Sequence, residues 1–221
     1  MRATYKVFFA DKKLLRSSLV AFLLLAGSLV MNFYAGTYAN EKWVTYVSDI
    51  VLSNTTPYDV DTMFAMGIPL FLVFLLFWCV RYPAHIPYIL KSVATFVIIR
   101  SVFITLTHLG PFPDRIIVFN AWVLGHMNFG ADLFFSGHTG LPFLFALIFW
   151  NNKWMRYLFV LTAIYFGAIV LLGHLHYSID VLSAFFITYT IRHINEFLWK
   201  KDKLYMVNTH SIIYPHTTSG T

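Results

Sequence analysis

Long apolar runs, each close to the length of a bilayer crossing, fill most of this 221-residue chain. A helix needs about 20 mostly apolar residues to cross a hydrocarbon core of about 30 Å. Six segments approach that requirement. They are 17–36, broken only by Asn32; 63–80, where Pro69 is tolerable in a membrane helix; and 85–109, which carries Lys91 and Arg100. The others are the short 139–150; 154–172, after a turn at Asn151, Asn152 and Lys153; and 177–199, with Asp180, Arg192 and His193. No internal repeat of fixed period runs through them. The pattern predicts an all-α polytopic bundle of six transmembrane helices over 17–199. A cytoplasmic segment at 1–16 precedes it, and a polar, frayed cytoplasmic tail at 200–221 follows.

Composition excludes the soluble alternatives. Hydrophobic residues make up 58% and charged residues 12%, against roughly a quarter charged in ordinary soluble domains. A soluble fold would have to show that surplus as large apolar patches. The lone Cys79 gives neither a disulfide framework nor a cysteine zinc site. The net charge of +6 comes from basic residues in short clusters between apolar runs, which argues for membrane orientation and against nucleic-acid binding.

Those clusters set the expected topology. Arg2, Lys6, Lys12, Lys13 and Arg16 precede the first span; Arg81 follows the second; Lys153 and Arg156 follow the fourth; Arg192, Lys200, Lys201 and Lys203 lie at the end of the last. The other side holds Lys42 and Arg115 with Glu41, Asp49, Asp59, Asp61, Asp114 and Asp132. Lysine and arginine favour the cytoplasm, so both termini are expected inside and the first, third and fifth loops outside. The first span is read as a retained anchor; its apolar run is longer than that of a cleaved signal peptide, although Ala35 to Ala39 offers small residues.

Ionisable groups inside membrane spans are costly and mark function by default. In this topology they gather at the outer level. Arg100 lies near the outer end of the third span, Asp132 and Ser136-Gly137-His138 at the entrance to the fourth, and His176, Tyr177 and Asp180 at the entrance to the sixth. His176 and Asp180 are spaced i and i+4, which on a helix places them on one face. A carboxylate there fixes the imidazole tautomer and leaves the second ring nitrogen free as a nucleophile. Ser136 and Gly137 offer a hydroxyl and unpaired backbone N–H groups suited to a phosphate. His138 is placed to give up a proton, and Arg100 to fork onto phosphoryl oxygens.

Each residue also has a plainer role open to it. Asp180 and Arg100 could form an interhelical ion pair, His138 could cap its helix, and Ser136-Gly137 could be a turn. His174 and His108 near the interface could be solvated. His85, His126, His193, His210 and His216 have no comparable grouping. Zinc is the minor reading: His174 and His176, at i and i+2, point apart on a helix, and no His-Glu-x-x-His motif exists. No metal and no cofactor are expected.

At these residues the chain resembles the type 2 phosphatidic acid phosphatase superfamily, and within it the sphingomyelin synthase-related branch. That branch carries Gly-Asp-x-x-x-Ser-Gly-His-Thr and His-Tyr-Thr-x-Asp-Val. Here the stretches read Ala131-Asp132-Leu133-Phe134-Phe135-Ser136-Gly137-His138-Thr139 and His176-Tyr177-Ser178-Ile179-Asp180-Val181. Arg100, ahead of Leu109-Gly110-Pro111, resembles the branch's upstream arginine, and the likeness covers roughly 63–198. The phosphatase branch has Lys, six residues, then Arg-Pro; here eight residues separate Lys91 from Arg100, and Ser101 follows. That branch also has an arginine where this chain has Val170. Against the synthase branch, Ala131 replaces glycine, Gly130 stands where cysteine is common, and Ser178 replaces threonine.

The resemblance implies a metal-independent transfer from a phospholipid donor through a phosphohistidine. His176, held by Asp180, is the implied nucleophile, and His138 the implied acid and then base. Arg100, Asp132, Ser136, Gly137 and Tyr177 are implied in substrate binding. A ceramide-like acceptor would make a transferase; water would make a lipid phosphatase or a phospholipase C-like hydrolase. A non-catalytic transporter or scaffold is the competing class, and the oligomeric state is left open.

Overall fold

The computed structural model describes residues 5, 8–115 and 130–213; His126 and His216 fall outside that range. Among the described residues the long helices are α1 (Lys12–Lys42), α2 (Asp61–Arg81), α3 (Ile86–Leu106), α4 (Gly137–Ile148), α5 (Lys153–Leu172), α6 (Ser178–Leu198) and α7 (Lys200–Ile213). Four are long and apolar enough to cross a membrane: α1, α2, α3 with its leading turn, and α5. α4 has 12 residues, about 18 Å at 1.5 Å per residue, and does not span by itself. α6 has the length, at 21 residues, but Asp180, Arg192 and Glu196 dilute its apolarity. The all-helical membrane bundle is therefore seen, with four of the six expected spans meeting the criterion directly. The tail expected to fray is helical as α7 over the described part.

Local chemistry starts these helices. The Asp11 side chain accepts from the backbone N–H of Lys13 and Leu14 at the head of α1, and Asn152 accepts from Met155 at the head of α5. Such caps satisfy donors that the first helical turn leaves unpaired.

Packing centres on α3, nearly all of whose first half is buried. The α1 face against it is small: Ser18, Ala21, Ser28, Ala35, Gly36 and Ala39 are its buried residues apart from Leu14. They recur at spacings of three, four and seven, which lets two backbones approach closely where lipid gives no hydrophobic drive between helices. On the other flank Phe96, Phe135, Leu144, Ala184 and Ile191 lock α3 to α4 and α6. Phe22, Leu23, Phe77, Leu161 and Phe186 are among the large apolar side chains left on the outside, as expected of a surface facing hydrocarbon.

The connections define two ends. At one, the loop after α1 pairs with the loop after α3 through Val44 N–H to the His108 carbonyl (3.1 Å) and Gly110 N–H to the Thr45 carbonyl (2.8 Å). The Tyr58 N–H donates to the carbonyl of Leu172, at the end of α5, at 2.8 Å. This end also receives the start of α4 and α6. At the opposite end the Lys91 ammonium meets the Asp202 carboxylate at 2.7 Å, and the Ser17 hydroxyl donates to the same carboxylate at 2.6 Å.

Candidate active site

Ser136, the N-cap of α4, is fully buried. Its Oγ accepts from the Thr139 N–H (3.4 Å) and the Thr139 hydroxyl (3.3 Å), so its visible work is capping. Its own backbone N–H donates to the Asp180 carbonyl at 3.1 Å. The head of α4 is thereby tied to the first turn of α6. Gly137 and His138 are the first two residues of α4, where backbone N–H groups lack helical partners and favour negative charge.

His176 departs from the helical spacing expected of it. It precedes α6, which begins at Ser178, so His176 and Asp180 do not share a helix face. Asp180, three residues into the capped turn, reaches back instead: Oδ2 accepts the Tyr177 N–H at 3.0 Å and lies 3.4 Å from His176 Nδ1. The contact is made by a carboxylate curled over a helix start. Asp180 is fully buried and His176 nearly so.

Arg100 is fixed rather than free. Its Nε donates to the Phe135 carbonyl (3.0 Å), Nη1 to Asp132 Oδ2 (3.1 Å) and Nη2 to the Asp132 carbonyl (2.6 Å). Its ion-pair partner is thus Asp132, not Asp180. A guanidinium has five N–H donors, so two stay uncommitted by these bonds. The guanidinium packs beside Gly137: a Cβ added there would lie 3.3 Å from Nε. The ring of His138, the second residue of α4, lies over Phe64 with centroids 4.0 Å apart.

Tyr177 points away from this group. It is buried, its hydroxyl donates to the Gly110 carbonyl at 2.8 Å, and its ring packs edge-on to Phe112. His174 is buried rather than solvated. Its Nε2 lies 3.2 Å from the Thr55 hydroxyl, and its φ of 54° puts it in the left-handed region, which histidine enters more readily than most residues. The two other interface and core histidines have local partners: His108 Nε2 is 3.5 Å from the Tyr38 hydroxyl, and His85 Nδ1 accepts from the Trp78 indole at 3.1 Å. Exposed His193 sits 3.9 Å from Glu196 on its own helix.

One residue at this site has no motif to announce it. Asp49, in the first loop, accepts both the Ser178 N–H and the Ser178 hydroxyl on Oδ2, each at 2.7 Å. Its Oδ1 accepts from Val51 (2.8 Å) and Leu52 (3.1 Å). Burial pushes its pKa up, but the Ser178 hydroxyl and these backbone donors outweigh that and hold it below the ordinary 3.8. The same loop supplies Thr55 to His174. His176 is therefore flanked, two residues away on each side, by positions anchored to the first loop.

Among the described residues, no three His, Cys, Asp or Glu side chains gather as a metal site. No curated protein and no solved structure matches the chain. Residues 130–197, 68 of the 221, match the family model described as PAP2 superfamily C-terminal. The matched segment contains both histidine stretches, and it supports the type 2 phosphatidic acid phosphatase superfamily, whose members are lipid phosphatases and phosphotransferases.

Proposed function

We propose that the chain is an integral membrane phosphotransferase that moves a phosphorylated head group from a phospholipid to a lipid hydroxyl of the ceramide type. What carries the reading is the His176–Asp180 contact of 3.4 Å, with His138 two residues beyond Ser136, whose backbone N–H is tied to the Asp180 carbonyl. With its proton on Nδ1, facing Asp180, His176 keeps the Nε2 lone pair for the phosphorus. The N–P bond forms as the P–O bond to diacylglycerol breaks, and His138 gives its proton to the departing oxygen. In the second half the acceptor oxygen bonds to phosphorus, its proton goes to His138, and the N–P bond breaks. Arg100 and the open N–H groups of Gly137 and His138 hold the phosphoryl oxygens as charge develops.

Ser136, Tyr177 and Asp132 serve this chemistry by holding the helix heads and Arg100 in place. The site faces the non-cytoplasmic side, because Arg81, Lys153, Arg156, Lys200, Lys201 and Lys203 lie towards the other end. A second reading, hydrolysis with water as acceptor, draws on the same two histidines. Against it stands Val170, fully buried, where the phosphatase branch carries an arginine.

The experiment is reconstitution with labelled phospholipid, with and without ceramide. A phosphorylated sphingolipid product supports transfer, whereas a water-soluble phosphorylated product supports hydrolysis. Turnover that persists unchanged in His176→Ala or His138→Ala refutes the assignment of these histidines, and absence of wild-type turnover leaves a non-catalytic membrane protein.

A further inference from the structure

A cavity of about 330 Å³ lies between α2, α4 and α5, with His138 in its lining. His138 and Leu141 of α4 close its head, Gly67 and Phe74 of α2 form one wall, and Thr162 and Phe166 of α5 form the other. The lining is apolar apart from the His138 ring, the Thr162 hydroxyl and Tyr165. It runs from Gly67 to Phe74, roughly 10 Å along the helix at 1.5 Å per residue. Leu70, Leu158 and Tyr165 stand at its rim, and all three are exposed on the outside of the bundle. The cavity opens sideways, through the surface that meets hydrocarbon.

Phe166 and Gly67 mark its upper end. A Cβ on Gly67 would collide with the Phe166 ring, so the glycine leaves room for that ring beside α2. The same ring approaches His138 with centroids 5.9 Å apart. Below this contact α2 and α5 meet again through Phe74 and Phe159, with centroids 5.0 Å apart. Phe71, between these two contacts on α2, also approaches Phe159, with centroids 6.4 Å apart.

Resting on the proposed function, we infer that this cavity takes one acyl chain of the phospholipid donor, inserted laterally between α2 and α5. An apolar space this size does not attract water, which needs several polar partners, and its open side faces chains already at high concentration. A chain leaving the bilayer for the cavity exchanges one apolar medium for another, so hydrophobic transfer gives little. Shape and van der Waals packing decide instead. The cavity therefore acts as a positioning device. It brings the glycerol oxygen of the bound lipid beside His138, the group proposed to protonate it, and converts chain fit into alignment of the reacting bond.

The test uses purified full-length protein in mixed micelles and compares kcat/KM for donor phospholipids of long and short acyl chain, with acceptor fixed. Thr162→Trp fills the cavity, while Leu161→Trp, one residue away and facing outward, is the control. The expected result is a drop of tenfold or more in the long-to-short preference for Thr162→Trp and the wild-type preference for Leu161→Trp. Equal preferences in all three proteins overturn the inference, as does a change that follows the acceptor's chain length instead. In parallel, a donor phospholipid with a diazirine in its acyl chain is photolysed on the wild type. Crosslinks at Phe71, Phe74 or Phe159 support the inference; crosslinks confined to outward residues such as Leu161 overturn it, even if Thr162→Trp fails to fold. Loss of the enzyme reading looks different: wild-type turnover is then absent, or survives in His138→Ala.

Discussion

The backbone N–H of Ser136 donates to the carbonyl of Asp180 at 3.1 Å, joining the heads of α4 and α6 across 44 residues of chain. Each motif contributes a histidine, and this bond sets the distance between their helix starts without involving a reactive side chain. Asp180 consequently has two tasks. Its main chain holds α4, and its carboxylate accepts the Tyr177 N–H and lies 3.4 Å from His176 Nδ1.

The two tasks separate under Asp180→Asn. The carbonyl is untouched, and the amide oxygen can still accept from Tyr177, so the melting temperature should change little. The amide no longer offers a carboxylate to Nδ1 and so favours the wrong tautomer. Head-group turnover should fall by roughly 100-fold or more, with a smaller change in KM. Normal turnover alongside a lowered melting temperature would reduce Asp180 to a helix cap.

Much of this arrangement is legible in the residues. Apolar runs give the helices, and the two histidine stretches mark the heads of α4 and α6, which the Ser136 N–H to Asp180 carbonyl bond ties together. The spacing of His176 and Asp180 was informative for the wrong reason: an i, i+4 pair reads as a helix face, yet the helix begins between them and a capping turn makes the contact. Asp49 and Thr55 could not be linked to the site from sequence. Their partners Ser178 and His174 lie more than a hundred positions away, and Asp49 ahead of Ile50-Val51-Leu52 forms no motif that points to them. α4 and α6 meet the length and apolarity of a crossing less directly than the other four, α4 because it has 12 residues and α6 because Asp180, Arg192 and Glu196 lie along it.

Asp49 predicts an acid-sensitive site. Its folded pKa is depressed, so its contribution to stability is complete above the unfolded value, near 3.8, and is lost as pH falls through the lower folded value. Wild-type melting temperature should fall steeply below about pH 4. Asp49→Asn, which cannot titrate, should begin less stable at neutral pH and show a shallower acid slope. Parallel slopes for the two proteins would show that other carboxylates carry the effect.

Two glycines of α4 should respond differently to alanine. At Gly140 the added Cβ would stand 2.8 Å from Phe96 and 3.0 Å from the Thr188 hydroxyl, so Gly140→Ala overpacks the core and should cost roughly 1–3 kcal/mol. At Gly137 the nearest atom is Arg100 Nε at 3.3 Å. Gly137→Ala should shift the guanidinium by a few tenths of an ångström, lowering turnover with little effect on unfolding. The paired measurement is thermal stability and turnover for both variants; equal stability losses would place Gly137 in core packing alone.

Arg100→Ala removes the donor to two carbonyls and a carboxylate in a largely buried place. Leaving such acceptors unsatisfied should cost roughly 2–4 kcal/mol, visible as a lowered denaturation midpoint together with lost turnover. Arg100→Lys keeps a charge but cannot fork onto Asp132 and Phe135 at once, so part of the stability should return while turnover stays low. Full activity in Arg100→Lys would mean that charge alone is required.

Lys91 offers a contrasting cation on the same helix. It precedes Arg100 by nine residues, about 13 Å along the axis, and binds Ser17 and Asp202 at the far end of the bundle. Its side chain and that of Asp202 are only 7% and 8% exposed, so neither tolerates loss of the other. Asp202→Ala should destabilise by roughly 3–5 kcal/mol by stranding a buried ammonium, whereas Lys91→Met combined with Asp202→Ala should recover most of that loss. Turnover per folded molecule should be unchanged in the double variant, because the pair lies towards the end of the bundle opposite the heads of α4 and α6. A double variant that folds normally but loses turnover would bring Lys91 into the reaction and require the two ends of α3 to be coupled.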